Sequence, residues 1–123
     1  MEVRLFDKKT DLEVVKAWLP FDLDPNELPA HTYCAVEDEI VAIAALRFAE
    51  GKVCLIDSMA SNQKLPGRLR NEALDRLTET ILNKAKEVGF KCVLGWTKEE
   101  VIVARALRHG FKYFPQLLIV REL

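Results

Sequence analysis

The chain has 123 residues, half of them hydrophobic and 30% charged, a balance that gives one domain enough apolar surface for a core and argues against disorder. With 18 basic against 19 acidic residues the net charge is -1, so bulk charge implies no surface for nucleic acid or for an acidic membrane. No apolar run nears the roughly 20 residues of a membrane span.

Residues 3–6 alternate enough for a first strand. Thr10 and Glu13 then stand at capping-box spacing, and Leu12, Val15, Trp18 and Leu19 supply the buried stripe of a first helix that Pro20 ends. The stretch 20–30, with three prolines and the acidic or amide residues Asp22, Asp24, Asn26 and Glu27, reads as a loop with at most a short helical turn. Residues 31–36 and 40–48 form two strands joined by the acidic turn Glu37-Asp38-Glu39. The run Ile40-Val41-Ala42-Ile43-Ala44-Ala45-Leu46 is apolar on both faces, which places it centrally in a sheet covered on both sides. Ala49-Glu50-Gly51-Lys52 is a hairpin signal, so the strand at 53–58 is expected antiparallel to it.

A polar loop follows at 62–71, and then Ala73, Leu74, Leu77, Ile81, Leu82, Ala85 and Val88 mark the clearest helix of the chain. Gly89-Phe90-Lys91 closes it. The glycine can take the left-handed conformation of a helix cap, and the Phe folds back on the last turn. A strand at 92–96, a helix at 101–109 and a second closure, Gly110-Phe111-Lys112, repeat the pattern, with Thr97 as the expected cap of that helix. Pro115 breaks the last apolar stretch into two short strands at 111–114 and 117–120.

The cysteines Cys34, Cys54 and Cys92 each fall in a strand-like run, without the spacing of a zinc site or a disulfide framework, and are expected to be buried thiols. The chain opens at once on a strand-like segment, so no signal peptide is expected, and a reducing cytoplasm fits best. The order predicts a single domain over 1–123 of α+β class. Its mixed sheet has three antiparallel strands, then a β-α-β unit, then a C-terminal hairpin, with helices on both faces.

That order, with a phosphate-sized loop after the fourth strand, resembles the GNAT superfamily of acyl-CoA N-acyltransferases over nearly the whole chain. In that family the loop and helix start after the fourth strand, with the pattern R/Q-x-x-G-x-G/A, wrap the CoA pyrophosphate in main-chain N–H groups. A helix N-terminus is suited to this because its first N–H groups are unpaired and its dipole end is positive. Laid on the family's typical Y-R-G-K-G-I-G-R-A-L, residues 65–74 keep Gly67, a basic residue at Arg68, and Ala73-Leu74. Pro66 replaces the motif arginine, and Leu69 and Asn71 replace two glycines.

The resemblance implies acetyl-CoA as cosubstrate, bound by Met59, Ala60 and Ser61 at the end of the fourth strand and by Gly67, Arg68, Leu69, Arg70 and Asn71 in the loop and helix start. Asn tolerates conformations that glycine favours, and Arg68 and Arg70 can add charge. The family's later motif, N-x-x-A-x-x-x-Y-x-x-x-G-F, fits at Gly110-Phe111, but Ala106 stands at the position of the tyrosine that protonates the CoA thiolate in many members. Tyr113 and Tyr33 are then the substitute acids. The base candidates are Asp57, Glu99, Glu100 and His31, and Asp57 with Tyr113 is the catalytic pair expected here.

The implied activity is N-acetyl transfer to a primary amine, borne by a small molecule or a protein. The acidic residues 22–27 and 37–39 suit a cationic acceptor, and a homodimer is an admissible assembly. The lost glycines and tyrosine keep a second reading open, a GNAT-fold binding or inhibitory module without catalysis.

Overall fold

In the computed structural model, residues 1–19, 25–97, 99–115, 119, 121 and 123 are described. Five strands form one sheet in chain order: β1 (Glu2–Leu5), β2 (His31–Glu37), β3 (Glu39–Phe48), β4 (Val53–Ser61) and β5 (Cys92–Leu94). The first four pair antiparallel, and β5 joins β4 in parallel with Val53 opposite Cys92 and Leu55 opposite Leu94. The helices are α1 (Leu12–Val15), α2 (Gly67–Val88) and α3 (Glu100–Arg108), with short 3-10 turns at Lys16–Trp18 and Pro25–Glu27.

As its sequence requires, β3 lies at the centre, and its residues Ile40 to Leu46 are all buried. Residues of this strand feed two cores. On one face Ala42, Ala44 and Leu46 meet Ala73, Leu77, Ile81 and Ala85 of α2. On the other, Ile40 and Ile43 meet Val15, with Trp18 and Leu19 packed around them. The antiparallel strands feeding a β-α-β unit are therefore as expected, and so are the glycine closures. Gly89 has φ 104° and Gly110 φ 86°, and the N–H groups of Phe90 and Phe111 return to the carbonyls of Ala85 and Ala106.

Several local expectations are corrected. The capping box at Thr10 and Glu13 does not form, because the Asp11 carboxylate is the acceptor there. It takes the Asp7 N–H at 2.7 Å and both guanidinium nitrogens of Arg4 at 2.8 and 3.1 Å. Arg4 holds the Asp11 carboxyl below its ordinary range although the residue is buried. α2 begins at Gly67, inside the expected loop, since Leu69 alone of its first turn belongs to the apolar stripe. Cys34 and Cys54 are buried, and burial pushes the Cys34 thiol up to about 11. Cys92, on the edge strand, is exposed. Residues 111–114 carry no strand, and of the other half of the expected hairpin, residues 117, 118 and 120 lie outside the described residues, as do Pro20, Asp22 and Asp24.

Candidate acyl-CoA site

Two irregularities open the sheet where β4 ends. Ile43 pairs with Ala60 and Ala45 with Asp57, so Ser58 and Met59 together oppose the single residue Ala44. This is a β-bulge, with Ser58 in the left-handed region at φ 52°. Pairing between β4 and β5 ends at Leu55 and Leu94. Gly95 still lies close, for a Cβ there would stand 3.0 Å from Ile56 Cγ2. Beyond it, Met59, Ala60 and Ser61 have no paired residue on β5.

The chain leaving β4 is tightly organised. Asn62 donates its N–H to Val41 O at 2.9 Å, and its side-chain oxygen accepts the Lys64 N–H at 3.0 Å. Gln63 bonds back to the Ser61 hydroxyl at 3.2 Å and accepts from Arg70 Nη1 at 3.1 Å. Arg70 Nε donates to Leu65 O at 3.0 Å, so this guanidinium is committed to the loop. Sequence reasoning passed over Asn62 and Gln63, although an Asn that opens a turn is a recognisable signal.

Pro66 stands at the N-cap of α2 with ψ 142°, and no side chain among the described residues caps the helix. The first main-chain bond runs from Arg70 N to Pro66 O at 3.1 Å, so the N–H groups of Gly67, Arg68 and Leu69 precede it as uncapped donors. Arg68 is exposed and forms no ion pair or hydrogen bond among the described residues. Leu69, at a motif glycine position, packs against the α2-side core and so points toward the sheet. Gly67, Arg68, Leu69, Arg70 and Asn71 form the start of α2, separated by residues 62–66 from Met59, Ala60 and Ser61 at the end of β4.

The expected catalytic residues are placed differently. Asp57 precedes the bulge, and its Oδ2 accepts from Arg47 Nε at 2.8 Å, while Arg47 Nη2 donates to Glu27 O at 3.3 Å. Its Oδ1 is screened from solvent and has no hydrogen-bond partner among the described residues. Tyr113 lies past the end of α3, 61% exposed, with no hydrogen bond among the described residues. Tyr33 is buried in the α2-side core, and that burial pushes its phenol up. His31 stacks on Phe48 at 4.7 Å. Thr97 does not occupy the N-cap of α3, which is Glu99, but its hydroxyl accepts the Glu99 N–H at 3.0 Å. Trp96 is exposed.

A further cluster, invisible to local pattern, joins α3 to α2. Arg105 is the one α3 residue that is buried among the described residues, and its Nη2 donates to Asn71 Oδ1 at 2.8 Å. Asp75 faces Arg105 Nε at 3.4 Å, Arg108 at 3.1 Å and His109 at 3.0 Å. Burial raises the Asp75 pKa, but the His109 hydrogen bond and the charges of Arg108 and Arg105 outweigh it and hold the carboxyl below its ordinary range.

A central sheet that is antiparallel up to a bulged fourth strand, then parallel to a short fifth strand whose pairing stops before the bulge, with an uncapped helix start following the fourth strand, is a recognisable arrangement. This chain has the GNAT fold. It superposes on the Thermus thermophilus protein TTHA1254 with a TM-score of 0.76 at 20% identity, covering 100% of this chain and 98% of that one. It superposes on the aminoglycoside N-acetyltransferase AAC(6')-Iy, solved with CoA, with a TM-score of 0.72 at 16% identity over 99% of each chain. A predicted acetyltransferase of Clostridium acetobutylicum, solved with acetyl-CoA, gives a TM-score of 0.68 at 16% identity over 98% of this chain and 95% of that one. No protein-family model matches the chain, and no curated protein matches it in sequence.

Proposed function

We propose that this protein is an acyl-CoA N-acyltransferase that moves an acetyl group from acetyl-CoA to a primary amine. The observation that carries this reading is the end of β4–β5 pairing at Leu55 and Leu94, which leaves Met59, Ala60 and Ser61 without a partner on β5 in a strand that leads to the uncapped N–H groups of Gly67, Arg68 and Leu69. A pantetheine arm would lie along Met59, Ala60 and Ser61, and its diphosphate would meet the helix start and Arg68. The fold is shared with acetyltransferases solved with CoA or acetyl-CoA, which supports the cosubstrate.

In this reading the amine nitrogen attacks the thioester carbonyl carbon, a backbone N–H near Met59 or Ala60 holds the developing oxyanion, the C–S bond breaks and CoA leaves as its thiolate. With Ala106 at the usual tyrosine position the thiolate leaves unaided or through water, which its solution pKa near ~8.5 permits, or takes its proton from Tyr113. Asp57 takes the proton of the ammonium. For that step Arg47 must release Oδ2, so salt-bridge partner and base are exclusive roles of one carboxylate. The free thiols Cys34, Cys54 and Cys92 fit a reducing cytoplasm. No helix among the described residues is long and apolar enough to cross a membrane.

The second reading is a CoA-binding module without turnover, favoured by Ala106 and by the closed Arg47–Asp57 pair. Thermal shift with CoA and acetyl-CoA, followed by thiol release over a panel of amines, separates the two, because a ligand of the folded state must raise its stability. Turnover that rises with pH, without a falling alkaline limb, supports the enzyme. CoA binding with no turnover, in wild type and in Ala106→Tyr alike, selects the module. No stabilisation by either ligand overturns both.

A further inference from the structure

Arg47 on β3 and Asp57 on β4 close on each other through a single contact, Nε to Oδ2 at 2.8 Å, and each keeps an open end. On the cation, Nη2 donates to the Glu27 carbonyl at 3.3 Å, while Nη1 makes no hydrogen bond among the described residues. On the anion, Oδ1 is screened from solvent yet has no hydrogen-bond partner among the described residues. A guanidinium carries five N–H donors and a carboxylate about four lone-pair sites, so the closed pair uses little of what either side chain offers.

Arg47 also lines a groove of about 310 Å³ between the start of β2 and the end of β3, with Pro29, Ala30, His31, Leu46 and Phe48. His31 stacks on Phe48 there at 4.7 Å. The lining is apolar and aromatic apart from His31 and Arg47, and it includes no carboxylate. The Arg47 side chain is 43% exposed, within reach of a ligand. Such a groove suits an apolar group, and the planar fork of an arginine beside it suits a carboxylate.

Charge balance narrows the ligand further. For Asp57 to serve as base, Arg47 must leave Oδ2. A simple ammonium re-pairs Asp57 but leaves Arg47 without a counter-ion. A ligand with an ammonium and a carboxylate on one carbon re-pairs both, inserted head to tail between them. We infer that the acceptor amine of this protein is a free α-amino acid with an apolar side chain. Arg47 selects its carboxylate, Asp57 receives its ammonium, and its side chain lies along the groove. The inference rests on the acyl-transfer reading for the fate of the amine, and it narrows the acceptor from any primary amine to an α-amino carboxylate.

The probes are leucine, isopentylamine, which lacks the carboxylate, and isocaproate, which lacks the ammonium. Calorimetric titration in the presence of CoA should give leucine an affinity at least about tenfold above either analogue, the scale of one hydrogen bond to a charged group. In Arg47→Gln the advantage over isopentylamine should vanish while that over isocaproate persists, and in Asp57→Asn the reverse. A purely structural pair would lower the unfolding midpoint in both variants and leave the two ratios unchanged. With acetyl-CoA, thiol release should keep the order, leucine above isopentylamine in kcat/KM. If the protein binds CoA and acetylates isopentylamine as well as leucine, the inference is overturned and the acyl-transfer reading stands. Binding of CoA with neither leucine nor isopentylamine bound overturns the inference likewise. If leucine is bound with both preferences by a protein that takes no CoA, the amino-acid site is upheld and the acyl-transfer reading falls. Binding of neither CoA nor leucine overturns both.

Discussion

Arg68 and Arg70 are two residues apart in the first turn of α2, yet the structure gives them different tasks. Arg70 donates from Nε to Leu65 O at 3.0 Å and from Nη1 to Gln63 Oε1 at 3.1 Å, while Arg68 is exposed and unpaired among the described residues. Arg70→Ala therefore removes one charged bond to a part-buried carbonyl and one exposed side-chain bond. At about 1.5 kcal/mol for the first and about 0.5–1 kcal/mol for the second, the expected loss of stability is about 2 kcal/mol. Arg68→Ala removes no bond and should stay within about 0.5 kcal/mol of wild type. Binding should divide the other way. If Arg68 meets a phosphate, its loss costs about 1.5–3 kcal/mol, or roughly tenfold to hundredfold in CoA affinity. The assay is denaturant unfolding at constant slope for both variants, beside calorimetric titration with CoA. Equal unfolding midpoints for Arg70→Ala and wild type would refute the loop-pinning role, and an unchanged CoA affinity in Arg68→Ala would refute the phosphate role.

The Arg4–Asp11 pair predicts a pH dependence. Because the folded pKa of Asp11 is lowered, its contribution is present above the unfolded value near ~3.9 and is lost as pH falls through the folded value. Asp11→Asn should cost about 2 kcal/mol at pH 7, and its difference from wild type should shrink in acid unfolding below about pH 4; a constant difference would refute the linkage. Leu77→Ala, in the fully buried α2-side core, should cost about 2–5 kcal/mol by chemical unfolding. Ser58, at φ 52°, should accept Gly at little cost, whereas Ser58→Val should lose about 1–3 kcal/mol, and equal stability of the two would argue against the bulge.

The fold was legible wherever its cause was local. The doubly apolar run from Ile40 to Leu46 placed β3 at the centre, and Gly89 and Gly110 marked two helix ends by a conformation that side chains resist. Features that depend on distant partners were not legible. The bulge at Ser58 and Met59 carries no glycine and exists only through its register against Ala44. Asp11 looks like an ordinary helix-start residue until Arg4 is brought beside it by the first strand. Arg105 reads as one more cation on a helix, and only the packing of α3 on α2 brings it to Asn71, 34 positions away. The start of α2 was missed for a related reason. An apolar stripe reports the buried face, whose fully buried residues begin at Ala73, while the turn before them is held by Pro66, Arg70 and the loop, with Leu69 packed at the core's edge.

The same reasoning accounts for the helix start departing from the family motif. Glycines at such a start let the main chain approach a phosphate, but they leave the loop to be ordered by the ligand or by its surroundings. Here each replacement has a structural destination. Pro66 fixes its own φ at -57° just before the helix, Leu69 turns into the core beneath α2, and Asn71 is held by Arg105. Arg70 and Gln63 then tie the loop back to Ser61. The three uncapped N–H groups are thus presented by an anchored backbone, and the ordering entropy that a glycine loop loses on binding is already lost in the folded chain. Anchoring and anion binding are compatible as long as these side chains point away from the donors. Leu69 meets that condition by facing the sheet, and Asn71 meets it by turning its oxygen toward Arg105.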